Sequence, residues 1–218
     1  MKGLLKNNFY AALSNMNVFA VIILLVGILT IALGKKIPSL LISYILLATI
    51  GFPLSSIASI RKECATKWNK YKLTTPVKRS DIVKSYFLSL LLWLGVGILL
   101  AGIGTALAVL LHGFFLDRST DVFLLFTVGG GGSLFIAAIF FPLFYAGGEE
   151  RNEVFLGLGV LAGIGLTAGI TMLINSLFPR PMTDIQIFTG GMIILTCTLA
   201  AFFVSYFIAR YIFSRKEY

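Results

Sequence analysis

The chain reads as an all-α polytopic membrane protein with six transmembrane helices, and three observations carry that reading. It is 58% hydrophobic and only 12% charged, with a mean hydropathy of +0.95, whereas soluble domains run nearer a quarter charged. Its apolar residues gather into six long runs. Its basic residues gather between those runs, above all in residues 61–84. The outer loops, 112–122 and 178–186, are too short for a separate module, so residues 1–218 are expected to form a single transmembrane domain.

Bilayer hydrocarbon is about 30 Å thick and a helix rises about 1.5 Å per residue, so a span needs about 20 apolar residues. Runs of that order are Val18 to Gly34, Pro38 to Ile60, Tyr86 to Leu111, Phe123 to Gly147, Val154 to Leu177 and Ile187 to Ile208. Ahead of the first, residues 2–16 place Leu5, Phe9, Ala12, Leu13 and Met16 at helical spacing, with Lys2, Lys6, Asn7, Ser14 and Asn15 largely elsewhere. That pattern predicts an interfacial helix lying in the membrane surface, with a plain extension of the first span as the alternative. Lys2 and Lys6 before an apolar run also resemble a signal peptide, but the long positive flank and the further spans predict a retained first span.

Residues 61–84, RKECATKWNKYKLTTPVKRSDIVK, hold eight Lys/Arg and two acids. Burying those ten charges in a bilayer would cost roughly 30 kcal/mol at about 3 kcal/mol each, so the stretch lies in water. An even number of spans puts both termini on one side. With the N-terminus inside, fourteen of the eighteen Lys/Arg fall on the inner side, and only Lys35, Lys36, Arg118 and Arg180 on the outer. The positive-inside rule then makes the 61–84 stretch and both termini cytoplasmic. The net charge of +9 is accounted for by this topology and does not call for a nucleic-acid partner.

A helix from Arg61 to Lys72 would place Cys64, Trp68 and Tyr71 on one face, with Lys67 and Lys70 alongside. Aromatic residues on such an exposed segment suit the anchoring of a protein partner, or a belt at the lipid headgroups. Thr74-Thr75-Pro76 ends that helix, because the residue before proline is pushed out of the helical region. Ser80 is then expected to cap a new helix with Asp81 in its first turn. A second candidate contact to a cytoplasmic partner is Glu149, Glu150 and Arg151, with Glu153, at the turn between the fourth and fifth spans. Carboxylate clusters can also serve acid–base or metal chemistry, but no histidine is near this one in sequence.

The spans carry no Asp, Glu, Lys or Arg well away from their predicted ends. Ion-coupled carriers place such groups at mid-membrane, so that class is disfavoured. In the fifth span Gly159, Gly163, Thr167 and Thr171 recur every four residues and form one small, faintly polar ridge, suited to close helix packing or to lining a path. Thr127-Val128-Gly129-Gly130-Gly131 lacks the aromatic residue of a potassium filter after its first glycine and runs on into a span. Ser133 fails the G-x-S-x-G pattern at Phe135, and His112, the sole histidine, falls in an outer loop without an evident partner. Cys64 and Cys197 are too far apart in the layout to pair, and no Cys/His cluster has metal spacing. No glycine run is followed by Lys-Ser or Lys-Thr, so a phosphate-cradling loop is missing and any ATP must bind another chain.

The start Met1-Lys2-Gly3-Leu4-Leu5, the six spans, and Glu63, Trp68, Thr74, Pro76, Arg79 and Val83-Lys84 after the second span together resemble the membrane subunit of type-2 ATP-binding-cassette (ABC) exporters. The resemblance covers nearly the whole chain in layout, and its specific part is the basic stretch. It implies a permease that pairs with a second permease, identical or similar, and with two copies of a separate ATPase that binds ATP and Mg. It also implies an interfacial helix at 2–16 and a coupling helix within 61–72 that docks in a cleft of the ATPase. On that footing Glu63, Trp68, Tyr71, Thr74, Pro76 and Arg79 are the candidate docking residues. Short permeases of this kind include exporters of amphipathic peptides, such as the phenol-soluble-modulin exporter, and immunity transporters against antimicrobial peptides. Rival readings are a non-transport assembly or sensor subunit whose basic loop binds anionic lipid, and an intramembrane enzyme using Ser133 or the Glu149 cluster.

Overall fold

Long apolar runs free of charge have one stable form in hydrocarbon, the helix, because it satisfies its backbone groups internally. The computed structural model describes residues 2–65, 78–113, 118–148, 151–178 and 182–215, and among these there are seven α-helices and no strand. They are α1 (Lys2–Asn15), α2 (Asn17–Leu33), α3 (Ser39–Ala65), α4 (Arg79–His112), α5 (Ser119–Gly147), α6 (Asn152–Leu177) and α7 (Asp184–Arg215). Five of them, α3 to α7, are each long and apolar enough to cross a membrane, and α2 makes a sixth when taken with α1, from which it bends by 64°. The chain is therefore a multi-pass membrane protein.

Several helices outrun their apolar stretches, because helical hydrogen bonding does not stop where hydrocarbon does. α3 continues from Ile60 to Ala65, and α4 begins at Arg79 instead of Tyr86. The expected cap at Ser80 is corrected by the same observation. Lys78 precedes the helix with extended backbone and no side-chain cap bond, and Ser80 falls inside the first turn. Asp81 does lie in that turn, where the helix dipole favours a carboxylate. At the start of α7 the Thr183 amide donates to Gln186 Oε1 (2.9 Å) and the Gln186 amide to Thr183 Oγ1 (3.4 Å), a reciprocal capping box. α4 and α5 end on Gly113 (φ 75°) and Gly148 (φ 86°), conformations that favour glycine.

α5 is the hub of the bundle, because its glycine run lets three neighbours approach. The missing side chain of Gly129 is filled by Thr49 of α3, that of Gly131 by Ile194 and Thr198 of α7, and Gly132 faces Thr167 of α6. The run from Thr127 to Gly131 is thus continuous, closely packed helix whose carbonyls serve the helix itself, which agrees with the sequence reading against a filter. One aromatic cluster joins α4, α5 and α7 through Phe87, 4.4 Å from Phe141 and 5.0 Å from Phe202 between ring centres. A second links the first four helices. Phe9 stacks on Trp93 at 4.7 Å, Trp93 lies parallel to Phe52 at 6.1 Å, and Phe52 meets Phe19 edge-on at 5.1 Å.

The contacts sort into two ends. At one, α1, the end of α3, the start of α4 and the end of α7 come together through Asn7, Glu63, Asn8, Ser85, Arg79 and Phe213. Residues 61–65 and 78–84 emerge there. At the other, His112 Nε2 lies 2.6 Å from the Ile31 carbonyl oxygen, and Asp184 accepts from Arg118 (3.4 Å) and Thr120 (3.2 Å). His112 therefore closes α4 against α2, which corrects the expectation that it lacks a partner. Ser133 Oγ donates to the Gly130 carbonyl within α5 (2.7 Å), about 21 Å along the helix from its Ser119 start. Serine and histidine each serve a neighbouring backbone carbonyl and do not form a pair.

Candidate coupling face and groove

α1 sets the first part of the site. Its inward stripe is Asn8 and Ala12, continued by Met16 just past its end, all buried, with Leu5 and Phe9 half-buried beside it, while Leu13 is exposed. The sequence pattern had put Leu13 on the apolar face and passed over Asn8. Asn8 turns inward because it finds a partner, its Nδ2 donating to Ser85 Oγ of α4 at 3.0 Å. Ser85 in turn donates to the Ile82 carbonyl (2.7 Å).

Next to this pair lies Glu63, on the part of α3 that extends past the apolar run. Its side chain is only 6% exposed. A carboxylate at such depth costs several kcal/mol unless hydrogen bonds satisfy it. Here the Tyr86 hydroxyl of α4 donates to Oε2, and Asn7 Nδ2 of α1 reaches Oε1 at 3.5 Å. A cavity of about 10 Å³, the size of a single water, adjoins the group between Ser59, Ser89 and Tyr86. Thus the entry to the 66–77 segment is fastened to α1 and α4 within a turn of Ala65.

Its exit is fastened elsewhere. Arg79 is exposed, and its Nη1 lies 3.5 Å from the carbonyl oxygens of both Phe213 and Ser214 at the end of α7. The last carbonyls of a helix have no partner inside it, and a cation there also meets the negative end of the dipole. Among the candidate docking residues, Glu63 therefore points into the bundle and Arg79 lies along its end. Trp68, Tyr71, Thr74 and Pro76 lie outside the described residues, as do Glu149 and Glu150. Arg151 is exposed and precedes α6 without a side-chain cap bond.

The ridge of α6 divides into two halves. Its glycine half packs: a Cβ on Gly163 would lie 2.8 Å from the Ile136 amide nitrogen, and one on Gly159 3.2 Å from the Ile136 carbonyl oxygen. Its threonine half borders a groove of about 550 Å³. Leu46 and Ile50 of α3 and Gly132 and Ile136 of α5 form the apolar walls, and Thr167, Thr171 and Asn175 of α6 form the edge. Thr167 Oγ1 donates to the Gly163 carbonyl and Thr171 Oγ1 to the Thr167 carbonyl, each at 2.8 Å, so both hydroxyls are satisfied without reaching across the groove.

Sequence reasoning missed Asn7, Asn8, Ser85 and Tyr86. A signal did exist, since Asn8 falls four residues before Ala12 and eight before Met16, on the same stripe. It also missed the α3 and α5 walls of the groove, which only tertiary packing assembles.

No curated protein and no solved structure matches the chain. A family model does, over residues 3–214, and it describes the ABC-2 family transporter proteins. With five apolar spans, or six when α1 and α2 are taken together, and a family match over nearly its whole length, the chain belongs to the ABC-2 family of transporter proteins as a membrane permease.

Proposed function

We propose that this permease serves an ATP-driven exporter that moves an amphipathic peptide or another hydrophobic substrate across the cytoplasmic membrane. ATP and Mg bind in a separate ATPase subunit, present in two copies, and a second permease, identical or similar, completes the path. The ATPase docks on the 61–84 stretch, with Trp68 and Tyr71 as its main anchors and Glu149, Glu150 and Arg151 as a second contact. Both termini and that stretch face the cytoplasm, as the placement of fourteen of eighteen bases on that side supports.

The observation that carries the substrate class is the groove between α3, α5 and α6. Its walls are apolar and one edge carries hydroxyl and amide groups, a surface matched to a ligand with one greasy face and one polar face. The absence of ionisable side chains deep in the spans supports an energy source outside this chain.

Co-expression with the ATPase subunit tests the reading. Trp68→Ala and Tyr71→Ala are expected to reduce co-purification of the ATPase and its turnover in the complex, while the permease itself stays folded. Inside-out vesicles holding the intact complex are expected to accumulate a labelled amphipathic peptide when ATP is supplied. Full assembly and turnover in both variants would remove the docking assignment, and uptake only into right-side-out vesicles would reverse the direction.

A further inference from the structure

Three consecutive residues of α1 are each held by a different partner. Asn7 reaches Glu63 of α3 (3.5 Å), Asn8 donates to Ser85 of α4 (3.0 Å), and Phe9 stacks on Trp93 of α4 with rings 4.7 Å apart and 8° from parallel. Successive helical residues point about 100° apart, so these contacts wrap more than half of α1. A helix that merely floated at the membrane surface would need none of them. Glu63 is the common element, because it takes Tyr86 of α4 as well as Asn7 of α1 and stands on the last described turn of α3.

We infer that Glu63, Tyr86, Asn7 and Asn8 form a polar joint that makes α1, the end of α3 and the start of α4 move as one body. The inference rests on reading the 66–77 segment, which follows α3 in the chain, as the ATPase dock. Tyr86 is then a positioning residue. It does not touch the ATPase or the substrate, but it fixes how a displacement of the segment is delivered to the membrane helices. The physical ground is the cost of separating the members. Glu63 and Asn8 are buried and Asn7 is half-buried, so pulling α1 away would take from a carboxylate and an amide the partners they have here. Moving the three elements together leaves every bond intact. The apolar contact of Phe9 with Trp93 gives the joint a second fastening that does not depend on hydrogen bonds.

Two arms test this on the full complex of permease and ATPase in lipid nanodiscs or proteoliposomes. In the first, Tyr86→Phe removes one hydroxyl and keeps the ring. The expected result is normal assembly and ATP turnover, with transport per ATP hydrolysed reduced about fivefold, in the range typical of coupling between sites. In the second, Asn8→Cys and Ser85→Cys are introduced in a Cys64→Ala, Cys197→Ala background and joined by mild oxidation. If α1 and α4 travel together, the cross-linked complex keeps its transport within about twofold of the reduced one.

Unchanged transport per ATP in Tyr86→Phe overturns the inference, and so does a cross-link that stops transport reversibly. If Tyr86→Phe fails to fold, the cross-link arm decides alone. Failure of the unaltered chain to assemble with the ATPase removes the docking reading, and this inference falls with it. Normal assembly with failure of either arm removes the joint only.

Discussion

Gly163 of α6 lies so close to Ile136 of α5 that a methyl group added to it would fall 2.8 Å from the Ile136 amide nitrogen and 2.6 Å from its Cγ1. The approach is backbone to backbone, so nothing flexible can give way. Two residues farther along, Gly165 has nothing within 4 Å of an added Cβ, and neither has Gly157. One helix thus carries glycines of two kinds, one set for packing and one facing outward.

The contrast predicts opposite signs for the same substitution. Gly163→Ala is expected to destabilise the permease by about 1–3 kcal/mol, the usual cost of forcing a methyl into a filled contact. Gly165→Ala is expected to be neutral or to stabilise by up to about 1 kcal/mol, since alanine is the better helix former. Thermal unfolding in detergent, followed by fluorescence or by loss of monodisperse protein, checks both. Equal effects at the two positions would mean that α6 does not rest on α5 at Gly163.

The reciprocal bonds between Thr183 and Gln186 at the start of α7 predict a cap effect without a charge effect. Thr183→Ala is expected to cost about 1 kcal/mol, while Thr183→Ser keeps the hydroxyl and most of the stability. Asp184→Asn removes an exposed partner of Arg118 and is expected to cost less, since exposed ion pairs are worth about 0–1 kcal/mol. Unfolding midpoints of the three variants in one detergent rank them. A larger loss in Asp184→Asn than in Thr183→Ala would reverse the assignment.

Much of this architecture was legible in residue order because its cause is local. A run such as Val154 to Leu177 can only be a helix in hydrocarbon, and the four-residue spacing of Gly159, Gly163, Thr167 and Thr171 marks one face whatever lies against it. What escaped was decided by distant partners. Asn8 turns inward for Ser85, seventy-seven positions away, and Glu63 is buried because Tyr86 and Asn7 meet it. His112 found its partner in Ile31, at a separation of eighty-one. The four-residue ridge looked uniform in sequence, yet α5 covers its glycines while the groove opens beside its threonines, a difference set by where Ile136 happens to lie. The misplaced cap had a nearer cause: Lys78 takes the extended backbone and the first turn forms one residue ahead of Ser80.

Orientation is open to a direct chemical check. Lys36 and Arg151 are both exposed, the first at the turn after α2 and the second at the start of α6. In a background lacking Cys64 and Cys197, Lys36→Cys is expected to react with a membrane-impermeant maleimide on intact cells, and Arg151→Cys only after the membrane is opened. The reverse pattern would place residues 61–84 outside and end the proposal that an ATPase docks there.

The groove gives the sharpest prediction about transport, because it can be filled without touching the coupling face. Ala168 lines it on α6, and Leu166, two residues earlier, is 47% exposed and outside the lining. Ala168→Trp would project an indole between α3 and α5, where the walls are apolar and the space is large enough to accept it, so folding and assembly with the ATPase are expected to survive. Substrate movement is expected to fall about tenfold, equivalent to about 1.4 kcal/mol. Leu166→Trp adds the same indole to the outer face of α6 and is expected to leave transport near the unaltered level. ATP turnover and transport measured together in proteoliposomes separate a blocked path from a broken complex. Retained turnover with lost transport in Ala168→Trp alone places the substrate in this groove, whereas equal transport by both variants would move the path away from α6 altogether.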